Sequence, residues 1–343
     1  MNGRELTDRV KALALEAGFA RVGVAPGGDV PPPAAAAFRD WLAGGRHGPM
    51  AYMARHVEQR LRPSRLVAGA RSVICLAASY SPGPADPPPR CGVARYARGA
   101  DYHKVLKRRC RALCDAIRRV APAFEGRAFV DSAPLAERTL AASAGIGWIG
   151  RNRCLTVDGL GSYVFLCEIV CNLPLPADAP AGPRCGDCRA CIDACPTGAL
   201  AEDGLDARRC ISCLTVEHRG PIAPELRPLM GRRIVGCDAC QEACPYNRDV
   251  PAGDEALRAK SPPLGGAALA DVLRWTPADW DAATRGSAAR RASRAQLLRN
   301  AIIAAGNSTG LGDAPALAAA LRTLAERDDV GASAREALAR LGE

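Results

Sequence analysis

The sequence predicts a multidomain α+β protein of three successive segments: an α/β domain over residues 1–180, a ferredoxin-like two-cluster domain over 181–255 and a helical region over 256–343. Three observations predict it. Short apolar, β-rich runs alternate with longer helical patterns through the first half of the chain. Eight cysteines gather between Cys185 and Cys244 in two spaced runs. After Pro245 the cysteines stop, and alanine, leucine and arginine take over at helical spacing.

The first segment opens with an amphipathic helix from Arg4 to Ala17, whose charges at Arg4, Glu5, Asp8, Arg9 and Lys11 set it apart from a signal peptide. No apolar run reaches the length of about eighteen residues that a membrane span needs, so the chain is expected to be cytoplasmic with no membrane partner. Strands are predicted at Ala20–Val24, Ser72–Ala78, Arg127–Val130 and Tyr163–Cys171. Helices are predicted at Ala34–Ala43, Tyr102–Val120 and Pro134–Ala144, with proline-rich loops at Pro31–Pro33 and Pro82–Pro89. Leu173 to Pro183, rich in proline and alanine, reads as a linker. In the tail, helices are predicted at Ala292–Gly306, Ala314–Arg327 and Ala332–Leu341, an alternation like that of HEAT-type repeats. An ordinary helical cap is the plainer reading of the same pattern.

The cysteine runs are Cys185-x2-Cys188-x2-Cys191-x3-Cys195-Pro196 and Cys237-x2-Cys240-x3-Cys244-Pro245. Each iron of a cubane needs one thiolate, and the cysteine of a Cys-Pro ending ligates the other cluster in two-cluster ferredoxins. One cluster therefore takes Cys185, Cys188, Cys191 and Cys244. The other takes Cys195, Cys237, Cys240 and a lone upstream cysteine, Cys210 or Cys213, which spacing does not separate. Structural zinc also uses paired Cys-x2-Cys units, but it requires neither the third step nor two Cys-x3-Cys-Pro endings. Cys75, Cys91, Cys110, Cys114, Cys154, Cys167 and Cys171 have no such spacing and read as buried thiols.

Lysine and arginine outnumber aspartate and glutamate by 46 to 36, a formal charge of +10. That excess fits a nucleic-acid partner, and it also fits an arginine-rich genome bias. Basic stretches are spread over the chain, and Arg232, Arg233 and the Arg285–Arg299 group are candidates for phosphate contacts. No Gly-x-Gly-x2-Gly follows a strand, so a nicotinamide site has no support.

Several stretches carry a resemblance. They are His47-Gly48-Pro49-Met50, Arg95-Tyr96-Ala97-Arg98-Gly99-Ala100-Asp101-Tyr102-His103, Val130-Asp131-Ser132-Ala133-Pro134-Leu135-Ala136-Glu137-Arg138 and Gly145-Ile146-Gly147-Trp148-Ile149-Gly150-Arg151-Asn152. Gly161-Ser162, Cys167-Glu168-Ile169, Glu217-His218-Arg219-Gly220-Pro221 and Arg299-Asn300-Ala301-Ile302 continue the series. Together with the cysteine runs, over essentially the whole chain, they resemble the epoxyqueuosine reductases, cobalamin-dependent iron–sulfur enzymes that finish queuosine synthesis in tRNA. The resemblance implies an N-terminal cobalamin-binding domain similar to that of reductive dehalogenases. It implies reduction of the epoxide of epoxyqueuosine at the tRNA wobble position, with electrons from an external low-potential donor passing through two [4Fe–4S] clusters. It also implies Asp131 as proton donor and, from the Arg-Arg-Cys-Ile-Ser context, Cys210 rather than Cys213 as ligand. The alternatives are a cobalamin-dependent dehalogenase acting on a small substrate and a non-catalytic electron carrier.

Asp131 follows an apolar strand, and carboxylates at such strand ends face the ligand crevice of α/β folds. The plainer reading is that Asp131 or Ser132 caps the next helix. Among the four histidines, Asp101-x-His103 lacks the glycine of the Asp-x-His-x2-Gly cobalamin motif. A base-off cobalamin with no histidine ligand is expected, leaving His103 and His218 as polar contacts to cofactor or RNA. Arg60, Arg95, Asn152 and Ser162 are candidates for the corrin amides, although Asn152 also suits a turn. Trp148 is a candidate for packing on the corrin, or a core residue. Nothing in the sequence demands a dimer, and a monomer is expected.

Overall fold

The computed structural model describes residues 2–83, 91–258 and 263–342. The chain divides into two compact units, one of Met1–Pro84, Tyr102–Ala190 and Ala243–Leu257, the other of Ala85–Asp101, Cys191–Glu242 and Arg258–Glu343. The proline-rich loop expected at residues 82–89 lies for the most part outside the described residues.

The first unit is built on strands β1 (Arg21–Pro26), β2 (Ser72–Ser79), β3 (Gly126–Phe129), β4 (Trp148–Ile149), β5 (Leu155–Thr156) and β6 (Val164–Cys171). Its main sheet has the order β1-β2-β6-β3, and every neighbouring pair is antiparallel. The alternation of strand and helix thus does not produce the parallel sheet typical of α/β folds. Central β2 is buried along its whole length, as its run of Val, Ile, Leu and Ala requires. The small β4–β5 pair, antiparallel, was not legible in the sequence pattern.

Helices α1 (Gly3–Glu16), α2 (Pro32–Ala43), α3 (Val57–Leu61), α4 (Tyr102–Val120) and α5 (Glu137–Ser143) complete this unit. An Asn2–Glu5 capping box starts α1. Of the prolines read as a loop, Pro31 precedes α2 as its N-cap and Pro32 and Pro33 open its first turn, where a missing N–H costs nothing. Val73, Cys75, Ala77 and Val170 face Leu140 and Ala141 of α5 in one core. Residues of the other parity, Ile74, Leu76 and Ile169, point to the opposite face, where α4 buries Leu106, Cys110, Leu113 and Ile117. The α5 end lies so close to β1 that a Cβ on Gly23 would stand 2.1 Å from the Ala144 carbonyl oxygen.

In the second unit, Gly92–Val93 pairs in parallel with Arg233–Val235, and Leu200–Ala201 pairs with Gly204–Leu205. Among its helices are α6 (Ile211–Val216) and, at the end of the chain after several shorter ones, α7 (Arg294–Gly306), α8 (Ala314–Ala325) and α9 (Gly331–Leu341). Leu297, Ile302, Leu317, Leu321 and Ala334 share the tail core. The last carbonyls of a helix have no partner within it, and α7 supplies them for α6. Arg299 Nη2 donates to the Leu214 oxygen at 2.7 Å, Asn300 Nδ2 to that of Thr215 at 2.9 Å and Gln296 Nε2 to that of Val216 at 2.9 Å.

Candidate active site

Asp131 leaves the sheet just past β3, after the fully buried Val130. Its backbone is left-handed, at φ 45°, and its N–H donates to Glu137 Oε1 at 2.9 Å. Helix α5 begins only at Glu137, after Ala136 and without a side-chain cap, so neither Asp131 nor Ser132 caps it. The Asp131 carboxylate is 60% exposed, with His103 Nε2 at 3.8 Å. Tyr102 Oη donates to Asp131 Oδ2 at 2.5 Å. The Tyr102 ring is fixed between Phe165, stacked at 4.0 Å, and His103, also at 4.0 Å. Both Tyr102 and His103 belong to the first turn of α4, so one helix start presents two proton-bearing groups to one carboxylate.

Arg60, on α3, reaches the same place. Its Nη1 donates to the Leu135 oxygen at 3.2 Å and its guanidinium lies 5.9 Å from the Phe38 ring centre. Burial lowers its pKa, opposed by the charges of Glu137, Tyr52 and Asp131. Glu137 is pushed up to about 8, by burial first and the Asp131 charge second. Behind it, Glu168 on β6 is fully buried and raised well above the ordinary carboxyl value, again by burial first and then by Glu137. Tyr102, Glu137 and Glu168 were not singled out from the sequence. The available signal was a lone charge in the apolar run Val164–Cys171.

The other candidates are engaged within their own units. In the first, Asn152 Oδ1 accepts from Cys154 N at 3.0 Å and closes a turn. Ser162 N donates to Asn247 Oδ1 at 2.6 Å, and Asn247 Nδ2 donates to Ser162 Oγ at 2.9 Å. Trp148 is buried, edge-on to Tyr246 at 4.8 Å. In the second, Arg95 Nη1 lies 2.6 Å from Glu242 Oε1 and 3.6 Å from Asp238 Oδ2. His218 Nε2 lies 2.9 Å from the Pro221 oxygen.

The cysteines form two neighbourhoods. Cys244 feels the charges of Cys185 and Cys188, and its sulfur accepts the N–H groups of Tyr246 and Asn247. In the second unit, Cys210 faces Cys195, and Cys237 faces Cys210. Cys213 is neighboured instead by Cys210, Glu217 and Asp206. Burial pushes the thiols of Cys244, Cys210 and Cys237 up, and the backbone N–H groups aimed at their sulfurs oppose this in favour of thiolate, the form that ligates iron. Among the described residues no three His, Cys, Asp or Glu side chains crowd round one point as a single ion needs; a cubane asks for less, one thiolate at each of four iron corners.

A braced carboxylate beside a buried sheet, in a chain with two cysteine sets for cubanes, defines an iron–sulfur oxidoreductase. The family described as "Epoxyqueuosine reductase QueG, DUF1730" matches residues 60–132, and the "4Fe-4S double cluster binding domain" matches residues 184–247. An epoxyqueuosine reductase of Xanthomonas campestris pv. campestris is 43% identical over 319 residues, 89% of this chain and 88% of that protein. A crystal structure of epoxyqueuosine reductase with an epoxyqueuosine-modified tRNA-Tyr stem loop superposes with TM-score 0.89 at 28% identity, covering 100% of this chain and 92% of that one. The Bacillus subtilis epoxyqueuosine reductase, solved with its catalytic aspartate loop swung out of the active site, gives 0.87 at 27% identity over the same shares. The chain belongs to the epoxyqueuosine reductase family.

Proposed function

We propose that this chain reduces the epoxide of epoxyqueuosine at the tRNA wobble position to the alkene of queuosine, with electrons passing through two [4Fe–4S] clusters. The observation that carries this reading is 43% identity to an epoxyqueuosine reductase across 89% of the chain. The stem loop bound by a solved relative supports a folded RNA as substrate. Its wobble nucleotide must leave the stack to be reached.

One cluster takes Cys185, Cys188, Cys191 and Cys244, and the other Cys195, Cys210, Cys237 and Cys240. An external low-potential donor charges them. The N-terminal region to about residue 180 is the catalytic segment, 181–255 the relay, and the tail from 256 a HEAT-like support for RNA, in a monomeric, cytoplasmic enzyme.

Cobalamin fits the first unit on one observation: Arg60 Nε, Arg153 Nε and Trp148 Nε1 are buried donors without an acceptor, and the corrin rim carries amide carbonyls. Arg60 is therefore a contact for it. Asn152 and Ser162 in the first unit, and Arg95 and His218 in the second, use polar atoms for contacts within their own units. A base-off cofactor would take no histidine from this chain, and His103 lies beside Asp131. When bound, cobalamin supplies a strongly reducing metal centre able to open a carbon–oxygen bond.

The chain supplies position and protons. Removing the epoxide oxygen as water consumes two electrons and two protons. Asp131 protonates the departing oxygen, and Tyr102 and His103 hold the carboxyl toward it. The test is anaerobic incubation of the cluster- and cobalamin-loaded protein with epoxyqueuosine tRNA and a strong reductant, followed by nucleoside mass analysis. Loss of one oxygen is expected; an unchanged nucleoside overturns the reading.

A further inference from the structure

Glu168 stands in the middle of a central strand, in register with Cys75 on β2 and Phe129 on β3. It is fully buried, and neither carboxylate oxygen has a donor. By register with Cys75, its side chain points to the face that α5 covers. There the group within hydrogen-bonding reach is a second acid, Glu137. Two carboxylates cannot satisfy one another, whereas a single proton between them satisfies both. Glu137 in turn is bonded to the Asp131 backbone and feels the Asp131 charge. Glu168 thus meets Glu137, and Glu137 holds the backbone of Asp131, whose own carboxylate is exposed.

We propose that Glu137 and Glu168 share a proton and form a reserve behind Asp131 that supplies the second proton of the reduction. This rests on the reading of Asp131 as the acid and deepens it. Asp131 gives its proton to the epoxide oxygen as the carbon–oxygen bond breaks. A nucleotide lying over Asp131 cuts it off from water, so the next proton comes from behind: it passes from the pair to Asp131 and on to the oxygen, which leaves as water. The two electrons come from the cluster relay, and both acids recharge from solvent after product leaves. Neither glutamate touches a reacting atom; both act through Asp131.

The charged and titratable surroundings agree with a held proton. Arg60 from α3 and Arg138 beside Glu137 favour the ionised form, while burial and Asp131 oppose it. Glu137, Cys110 of α4 and Asp131 disfavour a negative charge on Glu168, and a charge there would in turn push up the buried thiols of Cys75 and Cys167.

The decisive measurement is the infrared carbonyl band of a protonated buried carboxyl in the full-length protein. It is expected at neutral pH, fading only as the solution turns alkaline, and absent from Glu168→Gln. A wild-type protein without that band overturns the proposal. The second measurement is single turnover of the prereduced, cofactor-loaded enzyme against pH. Glu168→Gln, and separately Glu137→Gln, are expected to lose about tenfold in rate and to displace the alkaline limb of the wild-type profile. Folded variants with the wild-type limb would make the pair structural and refute the reserve. Asp131→Asn separates the two readings. If it turns over normally, the acid role fails while the band persists. If the band is missing while Asp131→Asn is inactive, only the reserve fails.

Discussion

Asp131 occupies a backbone conformation that costs a non-glycine residue about 1–3 kcal/mol, and Glu137 offsets that by accepting its N–H. The same glutamate meets the buried Glu168, so one side chain links the strained loop to the sheet. Both glutamates have folded pKa values above their unfolded ones. The folded state therefore binds more protons than the unfolded state between the ordinary carboxyl range and about 8 for Glu137, and stability falls as pH rises through that window. In Glu168→Gln the amide donates to Glu137 and removes one of the two acids. Thermal melts of this variant should therefore lose less on going from mildly acidic to mildly alkaline pH than those of the wild type. An unchanged slope would mean that the pair does not hold a proton in the fold.

At the scale of elements, α6 sets Cys210 and Cys213 in different surroundings. Cys210 is its N-cap and faces Cys195, whereas Cys213 lies within the helix, buried, against Glu217 and Asp206. Cys210→Ser should cost about half of the iron on anaerobic reconstitution, while Cys213→Ser should keep all of it; the reverse pattern would exchange their roles. The cysteine runs were legible because ligand spacing is local, and Tyr102–Val120 because its apolar period and charges mark a helix end to end. The antiparallel order of the main sheet was not, since strand direction depends on partners distant in the chain. Helix α5 starts three residues beyond Pro134 because Leu135 enters the core and its N–H bonds the Ala133 oxygen instead of opening a helix. That shift took the capping role from Asp131. Glu168 carries no role in the sequence reading because a single acid in an apolar strand leaves the strand's pattern intact.

For the molecule as a whole, the charge of +10 matters only where arginines remain available to phosphate. Within the Arg285–Arg299 group the structure divides them. Arg299 is committed to the carbonyls of Leu214, His218 and Gly220, and burial lowers its pKa to about 10. It holds α7 onto α6. Arg285 is 75% exposed beside Asp281, and Arg291 is 58% exposed beside Glu217; surface pairs of this kind contribute little and exchange readily for a phosphate. Arg232, bonded through both terminal nitrogens to Asp313, belongs with the structural group. Binding of an epoxyqueuosine-modified stem loop should therefore weaken by tenfold or more between ~50 and ~200 mM salt. Arg285→Ala should flatten that dependence by about one phosphate contact and leave the melting temperature in place. Arg299→Ala should do the opposite, lowering the melting temperature because two helices lose their clamp, while the salt slope of whatever remains folded is unchanged. Should Arg285→Ala bind with the full wild-type slope, the tail would be a support for the cluster unit and the phosphates would be held elsewhere on the chain.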